Sequence, residues 1–265
     1  MDLTEDLLHE INEKMGEYFP DCDINLDENV FTLSNCLEFQ VEYNEMYYID
    51  ITYINGGIYT GTGILLKMEE LCLNFPDIIY IRLEDTSNIQ LTDSTGNLFE
   101  FPLSTIYITA SGISWYNKYG YYQKTFQEDY LKYVKIINKQ FLSTFIDIRN
   151  NLDDLNSRES NYLYHQLISV HKIIFHHNTQ DKRLVILRCL DFLLNNMLHL
   201  IHDEFYLIKE VGNVIKNSKH INDDLSIYLK YIFLTFMDLL LQHQWVDDDE
   251  MDDEEGIYLI KFLYI

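Results

Sequence analysis

The chain has 265 residues, 47 % of them apolar and 14 % aromatic, enough for one large core or two modest ones and against disorder as the default state. Acidic residues outnumber basic ones 43 to 19; the net charge of −24 argues against a nucleic-acid surface and anionic membranes and fits solubility or a basic partner. The four cysteines (Cys22, Cys36, Cys72, Cys189) lack short paired spacing, which points to reduced thiols and a cytoplasmic setting.

In chain order, Asp2 to Tyr18 has Leu3, Leu7, Leu8, Ile11 and Met15 at helical spacing. This acidic, amphipathic start does not read as a signal peptide. Pro20 and an Asp/Asn-rich stretch break the helix. Strand patterns follow over Val30–Leu33, Cys36–Tyr43 and Met46–Ile54, with Asn44 and Glu45 as a hairpin turn between the last two. A turn with four glycines in eight positions (Gly56, Gly57, Gly61, Gly63) leads into a helix over Ile64–Asn74, stopped by Phe75 and Pro76. Ile78–Glu84 is an apolar strand of the kind buried on both faces of a mixed sheet. Asp85–Pro102 is polar and turn-rich, with Asp93–Gly96 as a hairpin tip.

After Tyr122 the periodicity turns helical, over Thr125–Asn150, Glu159–Phe175, Lys182–His202, Phe205–Asn217 and Asp223–Gln244. The expected fold class is α+β: an α/β domain over 1–122, then a helical domain over 123–265. The longest apolar run, Tyr231–Leu241, is too short to span a bilayer. Residues 247–255 hold eight acidic residues in nine and read as a solvated loop. The apolar end GIYLIKFLYI reads as a strand that pairs with a sheet or a partner, since left in water it would aggregate.

A strand, a glycine turn and a helix start aim backbone N–H groups and the positive end of a helix into the turn, which suits a phosphate-bearing ligand. Gly61-Thr62-Gly63 is not a Walker A loop, because Ile64 and Leu65 follow, and it lacks the Rossmann spacing. The plainer reading is turn chemistry. Farther on, SWYNKYGY (Ser114–Tyr121) puts an aromatic pair before Gly120 in a segment short enough to be only a turn of helix.

Together these segments resemble the GNAT N-acetyltransferase superfamily in degenerate form. Its pyrophosphate loop runs Arg/Gln-x-x-Gly-x-Gly/Ala; the glycines fall on Gly61 and Gly63, while the charged position falls on Ile58, a departure. Its aromatic-Tyr-x-x-x-Gly-aromatic segment matches Trp115 to Tyr121, and the strand Ile78–Glu84 lies between the two motifs as the superfamily order requires. Acetyltransferase-like proteins of giant DNA viruses are similar around LEDTS and SGISWYNKYGY. A compositional bias agrees: one alanine (Ala110) and five arginines in a chain rich in Ile, Asn, Tyr and Lys, as AT-rich genomes produce. The resemblance covers Phe39–Tyr122, less than a third of the chain.

The resemblance implies a GNAT-like mixed sheet and acetyl-CoA as cofactor. Tyr59, Thr60, Gly61, Thr62 and Gly63 would bind the pyrophosphate, and the strand Tyr48–Ile54 would splay from its neighbour to pair with the pantetheine arm. Tyr116 would protonate the departing thiolate, and a carboxylate, with Asp50, Glu84 and Asp85 the candidates by position, would take the amine proton. Two outcomes follow: an N-acetyltransferase acting on an amine such as protein lysine, or an inactive GNAT-like fold serving as a viral structural or interaction module through its helical domain. If the chain is viral, host cytoplasm or virion is its location. The histidines (His165, His171, His176, His177, His199, His202) read as helix-surface residues, since no Glu sits where a metalloprotease pattern needs one. Cys189 reads as a small buried apolar residue.

Overall fold

The computed structural model describes residues 5–34, 36–54, 58–84, 87–197, 206–217, 223–242 and 258–263. They fall into two compact units that are not contiguous in sequence: Met1–Asp85 with Tyr119–Lys124 and Glu254–Ile265, and Thr86–Lys118 with Thr125–Asp253. The expected boundary at 122/123 falls within the short segment Tyr119–Lys124. The class is mixed α+β, with a six-stranded mixed sheet and a helical C-terminal part.

In the first unit, helix α1 (Glu5–Tyr18) precedes a meander of β1 (Ile24–Asp27), β2 (Val30–Leu33), β3 (Leu37–Asn44) and β4 (Met46–Ile54). The tight turn after β3 is made at Glu45, φ 62°. Helix α2 (Gly61–Cys72) then crosses over to β5 (Ile78–Glu84), which lies parallel to β4. Helix α2 thus joins two parallel neighbouring strands, as the mixed sheet implied by the resemblance requires. The C-terminal strand β8 (Tyr258–Phe262) pairs antiparallel with β5, so the apolar end does join a sheet. Residues 247–255 lie outside the described residues.

The register gives the sheet two unlike faces. On one, Phe31, Phe39, Ile51 and Leu83 stand opposite one another, with Val41, Ile49 and Ile81 alongside. Lys261 shares this face and reaches Glu69 of α2 at 2.7 Å, which sets α2 over it. The other face carries Gln40, Tyr48, Asp50, Tyr80 and Arg82, with Tyr48 and Tyr80 stacked at 4.8 Å. β5 therefore departs from the expectation of burial on both faces: Ile78, Ile81 and Leu83 are buried, but Tyr80 and Arg82 only partly.

The second unit begins with a hairpin, β6 (Asn88–Thr92) and β7 (Leu98–Pro102), which forms its own two-stranded sheet rather than extending the large one. At its tip the Asp93 carboxylate accepts hydrogen bonds from Thr95, Asn97 and Tyr228. Then come α3 (Leu103–Ser111), ended by Gly112 at φ 80°, and α4 (Phe126–Ile137), α5 (Phe141–Asn150), α6 (Ser157–Phe175), α7 (Lys182–Asn196), α8 (Ile208–Asn217) and α9 (Asp224–Gln242). The single helix expected over Thr125–Asn150 is broken at 138–140. There Phe141 N–H donates to Tyr206 and Ile208 N–H to Lys139, a bridge that interrupts the helical ladder. Phe141, Phe145, Phe233 and Phe236 centre one apolar core. No described helix is long and apolar enough to cross a membrane.

Candidate functional site

The glycine turn meets α2 in the first unit. Thr60 is the N-cap: its side chain accepts from Gly63 N–H at 3.1 Å and its carbonyl from Ile64 N–H at 2.9 Å. Gly61 and Thr62 are the next helix residues, and their N–H groups have no acceptor among the described residues, as at any helix start. Neither Gly61 nor Gly63 has a positive φ, so the backbone conformation does not demand glycine at either. A Cβ on Gly63 would lie 3.2 Å from Thr60 Oγ1, tight but against a rotatable hydroxyl. Gly56 and Gly57 lie outside the described residues.

Around the turn stand groups the sequence reading did not single out. Lys67, one helical turn beyond Gly63, lies 4.9 Å from the centre of the Tyr59 ring, and its ammonium donates to Tyr18 O at 2.6 Å. The Tyr59 hydroxyl donates to Asp21 at 3.2 Å, and burial together with that carboxylate raises its pKa. Thr62 and Tyr119 share a hydroxyl–hydroxyl hydrogen bond of 3.0 Å. Ile58, at the charged position of the motif, is 65 % exposed. Only Tyr119, as the residue before Gly120, was within reach of pattern reading; Lys67 needed its helical register against Tyr59.

β4 supplies the second element of the site. Its ladder with β5 runs from Tyr47 to Ile51 and stops, while β4 continues to Ile54 paired with β3. Thr52, Tyr53 and Ile54 thus keep an edge on the β5 side unpaired among the described residues. In a parallel pair the strands' carboxyl ends and the start of the crossover helix lie at one end of the sheet, where open α/β sheets take their ligands.

The candidate carboxylates differ. Asp50 is buried, and its two oxygens accept from Arg82 Nε at 3.0 Å and Nη2 at 2.7 Å, a bidentate pair across the parallel strands. Gln40 adds a longer contact at 3.4 Å. As a base Asp50 would have to break that pair. Glu84 is exposed at the end of β5, one residue past the last β4–β5 rung. Asp85 lies outside the described residues.

Tyr116 belongs to the second unit. It is 4 % exposed, its hydroxyl shares a 2.8 Å hydrogen bond with Ser87, and its ring meets Trp115 edge-on at 4.8 Å. It opens a 3-10 turn, Tyr116–Tyr119, which Ser114 and Asn117 tie by reciprocal side-chain-to-backbone bonds. Gly120 ends that turn at φ 87°, a conformation that favours glycine, so the Tyr-x-x-x-Gly spacing has a local structural cause.

Of the other candidates, Cys189 is fully buried, with burial raising its thiol pKa to about 12. His199 and His202 lie outside the described residues. His171 is not a surface residue: it is fully buried in α6. Among the described residues no group of three or more His, Cys, Asp or Glu could hold a metal. A cavity of about 250 Å³ in the second unit is bordered by Leu152, Leu155 and Ile186 together with Asp153, Ser160, Lys182 and Arg183, of which Asp153 is paired with Arg183 at 2.8 Å.

No family model, curated protein or solved structure matches the chain.

Proposed function

We propose that the first unit is a GNAT-like module that binds acetyl-CoA and transfers its acetyl group to an amine of a basic protein or small acceptor. The observation that carries this reading is the β4–α2–β5 crossover, with a β4 edge, Thr52–Ile54, unpaired among the described residues and a helix that opens with Gly-x-Gly. The pyrophosphate would take the N–H groups of Gly61 and Thr62, aided by the helix dipole and by Lys67 nearby. The pantetheine amides would continue the sheet along Thr52–Ile54, as a peptide adds to a strand edge. Glu84, exposed where the ladder ends, is the carboxylate placed to act as base, since Asp50 is held by Arg82. The resemblance assigns protonation of the thiolate to Tyr116; Tyr119, bonded to the turn through Thr62, competes for that role.

A second reading, an inactive GNAT-like fold used for protein interaction, is favoured by two observations: Asp50 is consumed by Arg82, and Ile58 stands where the motif has a charge.

Titration with acetyl-CoA separates the two. Binding at a hundredfold excess over the dissociation constant stabilises the protein by about 2.7 kcal/mol. Gly63→Glu sharpens the test, because Thr60-x-x-Glu is a capping box that should hold or strengthen the helix start while its carboxylate repels a diphosphate. Retained fold with lost binding is the expected result. No shift at millimolar acetyl-CoA leaves the inactive reading. Where binding is seen, acetylation of a lysine-rich peptide by Tyr116→Phe and Tyr119→Phe identifies the acid, whose loss is expected to slow turnover about 10²–10⁴-fold with coenzyme affinity kept.

A further inference from the structure

Two turns of the first unit bring together a pair of sulfurs that the sequence spacing conceals. Cys22 lies in the turn between α1 and β1, and Cys36 in the turn between β2 and β3. Their Sγ atoms are 3.6 Å apart, in van der Waals contact and bonded by a weak thiol hydrogen bond. A disulfide needs about 2.05 Å, so closure asks for roughly 1.5 Å of movement. Neither residue lies inside a helix or strand, where such movement would break a ladder. The turns are already clasped one residue from Cys22 and two from Cys36: Ser34 N–H donates to Asp23 O at 3.1 Å and Asp23 N–H to Ser34 Oγ at 2.7 Å.

We infer that Cys22 and Cys36 are a thiol modification site that closes to a disulfide under oxidation and, in closing, displaces the Asp21 carboxylate from Tyr59 in the glycine turn. Cys22 is partly exposed and takes the oxidant, whereas Cys36 is 3 % exposed and held by its N–H bond to Leu33 O at 2.7 Å. Burial first, and then Cys22 beside it, raise the Cys36 pKa to about 11, which keeps that thiol protonated until its partner has reacted. With oxidised glutathione as the oxidant, the Cys22 thiolate attacks one glutathione sulfur, forming a mixed disulfide and releasing one glutathione thiolate. The Cys36 sulfur, giving up its proton, then attacks the Cys22 sulfur and releases the second. Two protein thiols are oxidised, one glutathione disulfide is reduced, and both protons leave on glutathione.

Cys22 is the more exposed partner, and its N–H bond to Phe19 O, at 3.1 Å, is longer than the 2.7 Å bond that holds Cys36, so Cys22 makes the movement and Asp21 next to it moves as well. The Tyr59–Asp21 bond is already long for a hydroxyl donor, at 3.2 Å, and does not survive that shift. Cys72 and Cys189 do not compete: both are buried, and burial raises each thiol to about 12.

The test uses the full chain in its native state with millimolar oxidised glutathione and reads disulfides by peptide mapping. Four free thiols should fall to two, with a Cys22–Cys36 crosslink. Cys36→Ser should trap glutathione on Cys22, and Cys22→Ser should leave the remaining thiols unmodified. A thiol reagent should label Cys22 at least about tenfold faster than Cys72 or Cys189. Retention of four thiols, or crosslinks through Cys72 or Cys189, would overturn the site. The coupling is read separately: Tyr59 ring resonances, assigned with Tyr59→Phe, should shift on oxidation and return with dithiothreitol, and an unmoved Tyr59 would overturn it. Neither readout depends on whether the turn binds a coenzyme.

Discussion

Gly63 opens α2 in the first unit and Gly212 sits within α8 in the second, and neither has a positive φ. Their surroundings are opposite. A Cβ at Gly212 would lie 2.9 Å from the backbone of Thr109 and Ala110 in α3, where no side-chain rotation can make room. The chain's single alanine stands at that same crossing, its carbonyl taking a bond from Asn213 at 3.2 Å. At Gly63 the nearest atom is a hydroxyl that can turn away. Glycine at α8 is accounted for by the close helix crossing, whereas at Gly63 neither the backbone conformation nor the packing demands it.

Buried polar groups are paired in both units. In the first, Asp50 and Arg82 satisfy one another, and Lys261 reaches Glu69. In the second, Asp93 accepts from Thr95, Asn97 and Tyr228, while His171 is fully buried with neither ring nitrogen bonded among the described residues.

The largest test of the contrast is at the glycines. Gly212→Leu is expected to cost at least about 3 kcal/mol by overpacking a crossing that cannot open, read as a loss of helical circular dichroism on heating. Gly63→Ala is expected to cost no more than about 1 kcal/mol, the worth of a disturbed cap. Equal losses would break the comparison. Next in size is the ion pair. Asp50→Ala removes the bidentate acceptor of the Arg82 guanidinium, and since that side chain is 24 % exposed and also lies over the Tyr48 ring the expected loss is about 2 kcal/mol, below that of a fully buried pair. Replacing Asp50 and Arg82 together by leucine should cost less than Asp50→Ala alone in the same denaturant titration; a larger cost would mean the pair stabilises the sheet beyond satisfying itself.

Features that depend on neighbours in sequence were legible, and those that depend on distant strands or turns were not. The β4–α2–β5 succession was readable because an apolar strand, a glycine turn and an amphipathic helix ended by Pro76 follow within forty residues. Asn44-Glu45 and the tip at Asp93 were legible from turn chemistry alone. α3 was not, because its run of Thr, Ile and Tyr favours strand locally and becomes a helix by packing on α8. The break between α4 and α5 was hidden because apolar periodicity continues through it, and its cause is a bridge to residues nearly seventy positions later. At the candidate site, the glycines and Glu84 could be named in advance. Asp50's engagement by Arg82, Tyr119's bond to Thr62 and the nearness of Cys22 to Cys36 could not, since each is set by register or by where two turns meet.

The smallest effect expected is also the most specific to the second unit. His171 packs with Phe175 at 4.9 Å and His177 at 6.4 Å between ring centres. Burial first, then Arg188 and His177, lower its pKa below the ordinary 6.5. As pH falls through about 6.5 the unfolded chain takes up this proton while the folded chain does not. The unfolded state then binds more protons, so the stability that His171 provides is fully present above pH 6.5 and is lost progressively as pH falls towards the lowered value. His171→Phe keeps the ring and removes both nitrogens. It should flatten that part of the stability-against-pH profile and, by removing unbonded buried polar atoms, raise stability at neutral pH by about 1 kcal/mol. Denaturant titrations at several pH values measure both. A variant that keeps the wild-type slope would take His171 out of the acid response, and one less stable at neutral pH would show that its nitrogens are bonded in solution.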